Sequence, residues 1–150
     1  MALESPLIHD GSQTTSAVNA DKTTAAYYGI NTAGVVPGAA SGSGQFLFVT
    51  ISGSRQVTPA GTAGVQVYGV LQNAPKSGQA ADVGILGITK VVTGAGGVTA
   101  GGIVMTDANG RAVAWTAGSS YAQAGIAIET VAANAVATVY IWGAQPKVLT

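Results

Sequence analysis

The residue types that usually do chemistry are few and scattered in this chain. It has one histidine, His9, no cysteine, and six acidic residues that form no paired motif. Neighbouring side chains of an extended segment point to opposite faces, so His9 and Asp10 do not form a catalytic pair. One histidine without cysteines or a carboxylate cluster cannot build a zinc site. The sequence therefore predicts no catalytic residue, no metal site and no cofactor, and a protein that is not an enzyme.

Two short motifs resemble ligand-binding loops, but both lack essential parts. Asp107-Ala-Asn-Gly110 begins like a calcium loop without the later ligands, so we interpret it as a turn. The glycine-rich stretch 93–97 lacks the Gly-Lys-Ser/Thr ending of a phosphate loop, and no helix pattern follows it. Trp115 and Trp142 lie at the ends of predicted strands. We interpret them as anchors of the core or of a subunit interface rather than as a sugar-binding platform.

The charge content is unusually low. The 150 residues carry no net charge and only 8% are charged, against about 25% in ordinary domains. A monomer with so little charge tends to associate or precipitate, so we expect partners to cover much of the surface. The basic residues are scattered, which argues against nucleic acid binding. No apolar run approaches the about 20 residues that span a bilayer, and the first residues do not resemble a secretory signal, so we expect no membrane partner.

The chain divides by composition into two parts. Residues 1–44 are mostly small and polar and predict an extended N-terminal arm with a linker, whereas residues 45–150 carry regularly spaced β-branched and aromatic residues. The arm is either a frayed terminus or a segment that becomes ordered on a neighbouring protein. The residues that we predict to contact that neighbour are Leu3, Pro6, Leu7, Ile8, Tyr27 and Tyr28.

The second part predicts short strands separated by turns. The expected strands are 46–51, 65–71, 83–92, 103–106, 111–115, 124–129 and 135–142. Residues 46–51 are apolar on both faces, so this strand is expected to be buried on both sides or to lie in an interface. Asp107 to Gly110 predict a hairpin with a type I turn and a Gly bulge, or with an Asn-Gly type I′ turn. The alanine-rich residues 121–137 are also compatible with a helix, but their valines favour strands. The pattern predicts an all-β small barrel or sandwich.

The order of several motifs resembles a known family. The matching stretches are Tyr68-Gly-Val-Leu-Gln-Asn-Ala-Pro75, Ala81-Asp-Val-Gly-Ile-Leu-Gly87, residues 98–112 with Asp-Ala-Asn-Gly110, Gly125-Ile-Ala-Ile-Glu129 and Ala137-Thr-Val-Tyr-Ile141. Together they resemble the capsid decoration (cement) proteins of tailed bacteriophages over roughly half of the chain.

This resemblance implies a small β-barrel or β-tulip-like domain on the outer surface of an icosahedral phage head, made in the host cytoplasm. Such a virion protein cements neighbouring subunits of the major capsid protein, commonly as a homotrimer. The alternative function is a receptor- or carbohydrate-binding β-module of a phage fibre or surface protein. The aromatic candidates for that alternative are Tyr68, Trp115, Tyr121 and Trp142.

Overall fold

The computed structural model describes residues 15–20, 44–54, 56–73, 80–117 and 120–142, which form ten strands and no helix. The strands are β1 (Thr15–Ala20), β2 (Phe48–Gly53), β3 (Gln56–Pro59), β4 (Gly69–Leu71), β5 (Ala80–Gly84), β6 (Gly87–Val92), β7 (Ile103–Thr106), β8 (Ala112–Ala114), β9 (Gly125–Ala127) and β10 (Val136–Ile141). The first five form a closed barrel and the last five a second sheet. The predicted all-β, small-barrel fold is confirmed.

The barrel follows the strand order β1-β3-β2-β4-β5. Its closing strand is β1, which pairs parallel with β3 and antiparallel with β5. This strand lies within the segment predicted as an arm, so that part of the segment joins the sheet of its own chain. The barrel encloses small apolar side chains from β2 to β5: Val49, Val57, Leu71, Ala81 and Val83.

The second sheet follows the order β6-β10-β9-β7-β8, and its two edges come together just beyond β6. Thr93 forms a parallel bridge with Ala112 of β8, so the sheet curls around a larger apolar cluster. That cluster contains inward-facing residues of β6 to β10 together with Phe48 and Val70 from the barrel. The two sheets therefore share a core.

Strand β2 serves both cores because side chains alternate along a strand. Phe48 is fully buried in the shared cluster, and the next residue, Val49, is fully buried inside the barrel. The expected burial on both sides is confirmed at these two residues. It ends before Ile51, which is 53% exposed.

The predicted strand 83–92 is instead two strands in two different sheets. Val83 and Gly84 pair with β4 in the barrel, whereas Gly87 pairs with Ile141 in the second sheet. Gly87 has a φ of 105°, a conformation that side chains disfavour, and this allows the chain to change sheets within two residues. The glycines inside the predicted strand thus mark a bend that separates two strands.

The hairpin predicted from Asp107 to Gly110 is confirmed, and its turn type is resolved. Strands β7 and β8 pair in register, and the amide of Asp107 donates to the carbonyl of Arg111 at 2.8 Å. Gly110 has a φ of 75°, whereas Asn109 is not left-handed, so the turn is of type I with a Gly bulge. The carbonyl of Gly110 accepts the amide of Phe48 at 2.7 Å, which attaches the hairpin to the barrel. The helix considered for 121–137 is absent, because β9 and the start of β10 lie there.

Candidate interface surface

A row of large apolar side chains crosses the outer face of the second sheet. Ile88 of β6 is the direct partner of Tyr140 of β10, and Tyr140 is the direct partner of Ile126 of β9. Ile126 in turn pairs with Ile103 of β7. The amide of Trp115 donates to the carbonyl of Ile103 at 2.9 Å, which places Trp115 beside it just beyond β8. Direct partners in adjacent strands lie on the same face, so these five residues form one line, the outer row.

The alternation along β10 explains why this row faces outward. Val139 and Ile141 are buried in the shared core, which leaves Tyr140 on the opposite face. Tyr140 is 41% exposed and Ile88 is 53% exposed, while the other three residues of the row are half-buried. Ile128, just beyond β9, is also exposed. This sheet therefore presents a continuous apolar line to its surroundings, the kind of surface that marks an interaction site.

Charged groups of opposite sign lie on the two sides of β10. Lys90 of β6 is exposed and is the direct partner of Thr138 of β10. On the other side of β10, a carboxylate oxygen of Glu129 accepts the backbone amide of Thr138 at 2.7 Å, where the ladder with β9 ends. A side-chain hydrogen bond with Thr138, followed by this backbone bond, lowers the pKa of Glu129. Glu129 is therefore firmly ionised at neutral pH.

The tip of the β7–β8 hairpin is polar, but its groups are already satisfied. The carboxylate of Asp107 accepts the backbone amides of Asn109 and Arg111 at 2.8 and 2.9 Å. It also forms an ion pair with the Arg111 guanidinium at 2.8 Å, and that guanidinium donates to Asn134 at 3.0 Å. These contacts are those of a turn, as predicted, rather than of a calcium loop. The described residues contain no group of three or more His, Cys, Asp or Glu residues placed to hold a metal ion.

An open groove of about 470 Å³ runs along the barrel. It lies between β2 and the segment 61–68 and carries neutral side chains, including Thr50, Ile51, Gln66 and Tyr68. Its lining mixes hydroxyl, amide and apolar groups without a charge. Such a lining suits an uncharged polar ligand better than an ionic one.

Of the predicted contact residues, the structure describes the two tryptophans but not those of the arm. Trp115 lies at the end of the outer row, where its indole nitrogen donates to the carbonyl of Tyr121 at 3.0 Å. Trp142 follows β10 and is half-buried, and its buried indole nitrogen has no hydrogen-bond partner among the described residues. The predicted neighbour contacts in the arm, Leu3, Pro6, Leu7, Ile8, Tyr27 and Tyr28, lie outside the described residues.

Sequence reasoning missed the rest of the outer row. The available signal was local: β10 and its neighbours carry large apolar residues at positions of both parities, such as Tyr140 beside Ile141. Such a pattern indicates a strand that is covered on both faces. The alignment of four strands into one row depends on register, which the local pattern does not determine.

Comparison with known proteins gives a fold but no family. No family model and no curated protein matches the chain. Among solved structures, it is similar to the head fiber gp8.5 N base of bacteriophage phi29, with a TM-score of 0.61 and 14% sequence identity. The similarity covers 93% of this chain and 100% of that chain. At this identity the likeness shows a shared fold alone. Within the part of the chain that the structure describes, no helix has the length and apolar character needed to cross a membrane.

Proposed function

We propose that this chain is a structural, non-catalytic virion protein on the outer surface of an icosahedral phage head. It cements neighbouring subunits of the major capsid protein and acts as a homotrimer. The observation that carries this proposal is the fold likeness to the base of a phage head fiber over 93% of the chain. The resemblance of residues 68–141 to capsid decoration proteins supports the same location independently.

The physical features of the domain agree with an assembly role. Its charge content of 8% is low for a free monomer, and its second sheet exposes an apolar row. A phage head also supplies many copies of one binding surface at fixed spacings. Weak contacts from several attached domains then add up, because binding after the first contact is effectively intramolecular.

Binding to phage heads tests the proposal directly. Heads isolated from a phage that lacks this gene product are mixed with the purified chain and imaged by cryo-electron microscopy. We expect saturable density on the outside of the shell, at positions where capsid subunits meet. Absence of binding to such heads, together with the chain in another part of the virion, contradicts the proposal.

A matched pair of proteins tests the predicted arm. Deleting residues 2–14 keeps every described strand and removes Leu3, Pro6, Leu7 and Ile8. We expect this variant to retain its far-ultraviolet circular dichroism and to bind heads less tightly than the full chain. Equal binding by the two proteins identifies these residues as a terminus without a role in attachment.

The groove beside β2 favours a second candidate function, the recognition of an uncharged glycan by a fibre module. Tyr68 provides an aromatic surface there, and Gln66 and Thr50 provide hydrogen-bonding groups. A glycan array with the wild-type protein and Gln66→Ala tests this candidate. Binding to a neutral glycan that weakens in the variant supports it, and no binding to any glycan removes it.

A further inference from the structure

The two halves of the outer face are complementary to each other. Strand β10 lies at the centre, with β6 on one side and β9 on the other. At the level of Tyr140, Ile88 lies on the β6 side and Ile126 on the β9 side. At the level of Thr138, Lys90 lies on the β6 side. The β9 side carries the exposed Ile128, whose amide donates to the Thr138 carbonyl at 2.9 Å, and the carboxylate of Glu129. Ile88 thus has an apolar counterpart in Ile126, and Lys90 has an anionic counterpart in the carboxylate of Glu129.

Such an arrangement suits contact between identical surfaces. A rotation axis that is parallel to β10 and lies in front of the outer face brings the β6 side of one copy against the β9 side of the next. Ile88 then meets Ile126, and Lys90 meets Glu129, while the Tyr140 side chains gather near the axis. This relation holds for any cyclic assembly around that axis, including the proposed trimer.

We propose that the outer face of the second sheet is the surface through which copies of this chain associate. The β6 side of one copy contacts the β9 side of the next, and Lys90 pairs with Glu129 across the contact. This inference rests on the self-association that is part of the proposed function, and it names the surface and the residue pairs.

The charges favour a second copy over a different occupant. Adjacent strands are about 4.8 Å apart, so Lys90 and Glu129 are separated by roughly 10 Å across β10. Among the described residues the one ion pair is that of Arg111 with Asp107, so Lys90 and Glu129 do not pair within the chain. A partner with one sign of charge satisfies only one of the two. A second copy satisfies both, because it presents the same two charges in reversed order.

Two isoleucines with the same exposure provide the main test. Ile88 of the outer row and Ile51 on the barrel are both 53% exposed. Sedimentation equilibrium is measured for the wild-type chain, Ile88→Asp and Ile51→Asp, and circular dichroism confirms that each remains folded. We expect Ile88→Asp to raise the self-dissociation constant by about tenfold or more, as loss of an interface anchor does. We expect Ile51→Asp to associate like the wild type.

A charge exchange tests the pairing of copies. Lys90→Glu and Glu129→Lys each place like charges together across the contact, so both are expected to weaken association. The double variant restores opposite charges and is expected to recover most of the wild-type affinity. The backbone amide of Thr138 loses its carboxylate partner in both Glu129→Lys and the double variant. Recovery in the double variant therefore reports the contact between copies rather than local structure.

The other outcomes overturn the inference, and they can be told apart from failure of the proposed function. Association that is unchanged in Ile88→Asp, or equally weakened in Ile51→Asp, excludes this face while leaving self-association intact. A double variant that stays as weak as the single variants excludes the pairing of β6 with β9. A wild-type chain that is monomeric at micromolar concentrations also overturns the inference, even where the same chain binds phage heads.

Discussion

The barrel and the second sheet are closed in different ways. The barrel is closed by the backbone of β1, which lies more than thirty residues before β3 in the sequence and pairs with both β3 and β5. The second sheet is closed within its own part of the chain, where Thr93 forms a bridge with Ala112 of β8, and the side chains of Thr93 and Asp107 bond to the backbone of its loops. The barrel therefore depends on one distant segment, whereas the second sheet depends on several separate polar contacts.

The two regions are nevertheless coupled through their shared packing. Phe48 extends from the barrel into the core of the second sheet, and the backbone of Phe46 connects both sheets. The amide of Phe46 donates to Leu71 of β4 at 2.7 Å, and its carbonyl accepts the amide of Val92 of β6 at 2.9 Å. Perturbations that act on only one region distinguish the effect of how each region is closed from the effect of their shared packing.

The largest expected effect comes from removing β1. Deleting residues 2–20 leaves β3 and β5 with unpaired edges, whereas deleting residues 2–14 keeps the strand. Each lost hydrogen bond costs about 0.5–1.5 kcal/mol net, so the longer deletion is expected to lower the free energy of unfolding by several kcal/mol. Urea unfolding of the two proteins measures the difference. In hydrogen exchange, protection is expected to fall in β3 and β5 and to persist in β10.

Equal stability of the two deletions contradicts the role of β1 in closing the barrel. Loss of protection in β10 together with the barrel strands has a different meaning. It shows that the two regions unfold as one unit, and that shared packing outweighs their different closures.

Two core substitutions separate the shared packing from packing inside the barrel. Phe48 and Leu71 are both fully buried, Phe48 in the shared cluster and Leu71 in the barrel cluster. Phe48→Ala is expected to cost about 3–5 kcal/mol and Leu71→Ala about 2–5 kcal/mol, from lost burial and the cavity left behind. Chemical denaturation measures both values.

Tryptophan fluorescence shows which region each substitution disturbs. Trp115 and Trp142 both belong to the second-sheet region, following β8 and β10. We expect the native emission spectrum to change in Phe48→Ala and to stay close to wild type in Leu71→Ala. A spectrum that changes more in Leu71→Ala contradicts the assignment of Phe48 to the shared core.

The parts of the fold that sequence reasoning identified are those with local signals. The β7–β8 hairpin followed from the turn residues Asp107 and Gly110, whose conformations are set within a few residues. Strand β1 was not identified, because Thr-Ser-Ala-Val-Asn-Ala has neither alternation nor large apolar residues. Its pairing depends on β3 and β5, which lie far along the chain. Strand β3 was missed for a similar reason, since it is short and ends at Pro59.

The candidate interface shows the same limit. Trp115 was identified by its residue type, because aromatic residues are enriched at interfaces. Its neighbours in the outer row were not, since Ile88, Ile103 and Ile126 belong to three separate strands. Strand order and register bring them together, and neither follows from the spacing of residues within one strand. The arm residues predicted to contact a neighbour lie outside the described residues and remain a prediction.

A smaller effect is expected from two buried threonine hydroxyls, one in each region. The hydroxyl of Thr93 donates to the carbonyl of Ala132 at 2.6 Å and accepts the amide of Ala135 at 3.0 Å. Thr93→Val keeps the shape but leaves these backbone groups unsatisfied, which is expected to cost about 1–3 kcal/mol. The hydroxyl oxygen of Thr58 in β3 is buried without a hydrogen-bond partner among the described residues. Thr58→Val is therefore expected to be neutral or stabilising.

Thermal and urea unfolding of the two valine variants compare the regions directly. A cost for Thr58→Val that equals the cost for Thr93→Val contradicts the view that side-chain bonds to loops stabilise the second sheet selectively.

The smallest expected effect is the pH dependence contributed by Glu129. Hydrogen bonds with Thr138 lower the pKa of this carboxyl in the folded protein. Its contribution to stability is therefore fully present above the pKa of the unfolded chain, and it is lost as the pH falls through the lower folded pKa. Glu129→Gln keeps an oxygen that accepts the Thr138 amide but removes the charge. We expect wild type to be slightly more stable than this variant at neutral pH, with the difference disappearing in acid.

Urea unfolding from neutral to acidic pH, at concentrations where the chain is dissociated, measures this difference in stability. An NMR titration of Glu129 in wild type and in Thr138→Val identifies the cause of the lowered pKa. Because the side-chain bond is the larger cause of the shift, Thr138→Val should raise the pKa of Glu129. A stability difference that does not change with pH would indicate that Glu129 acts on the second sheet only as a neutral acceptor.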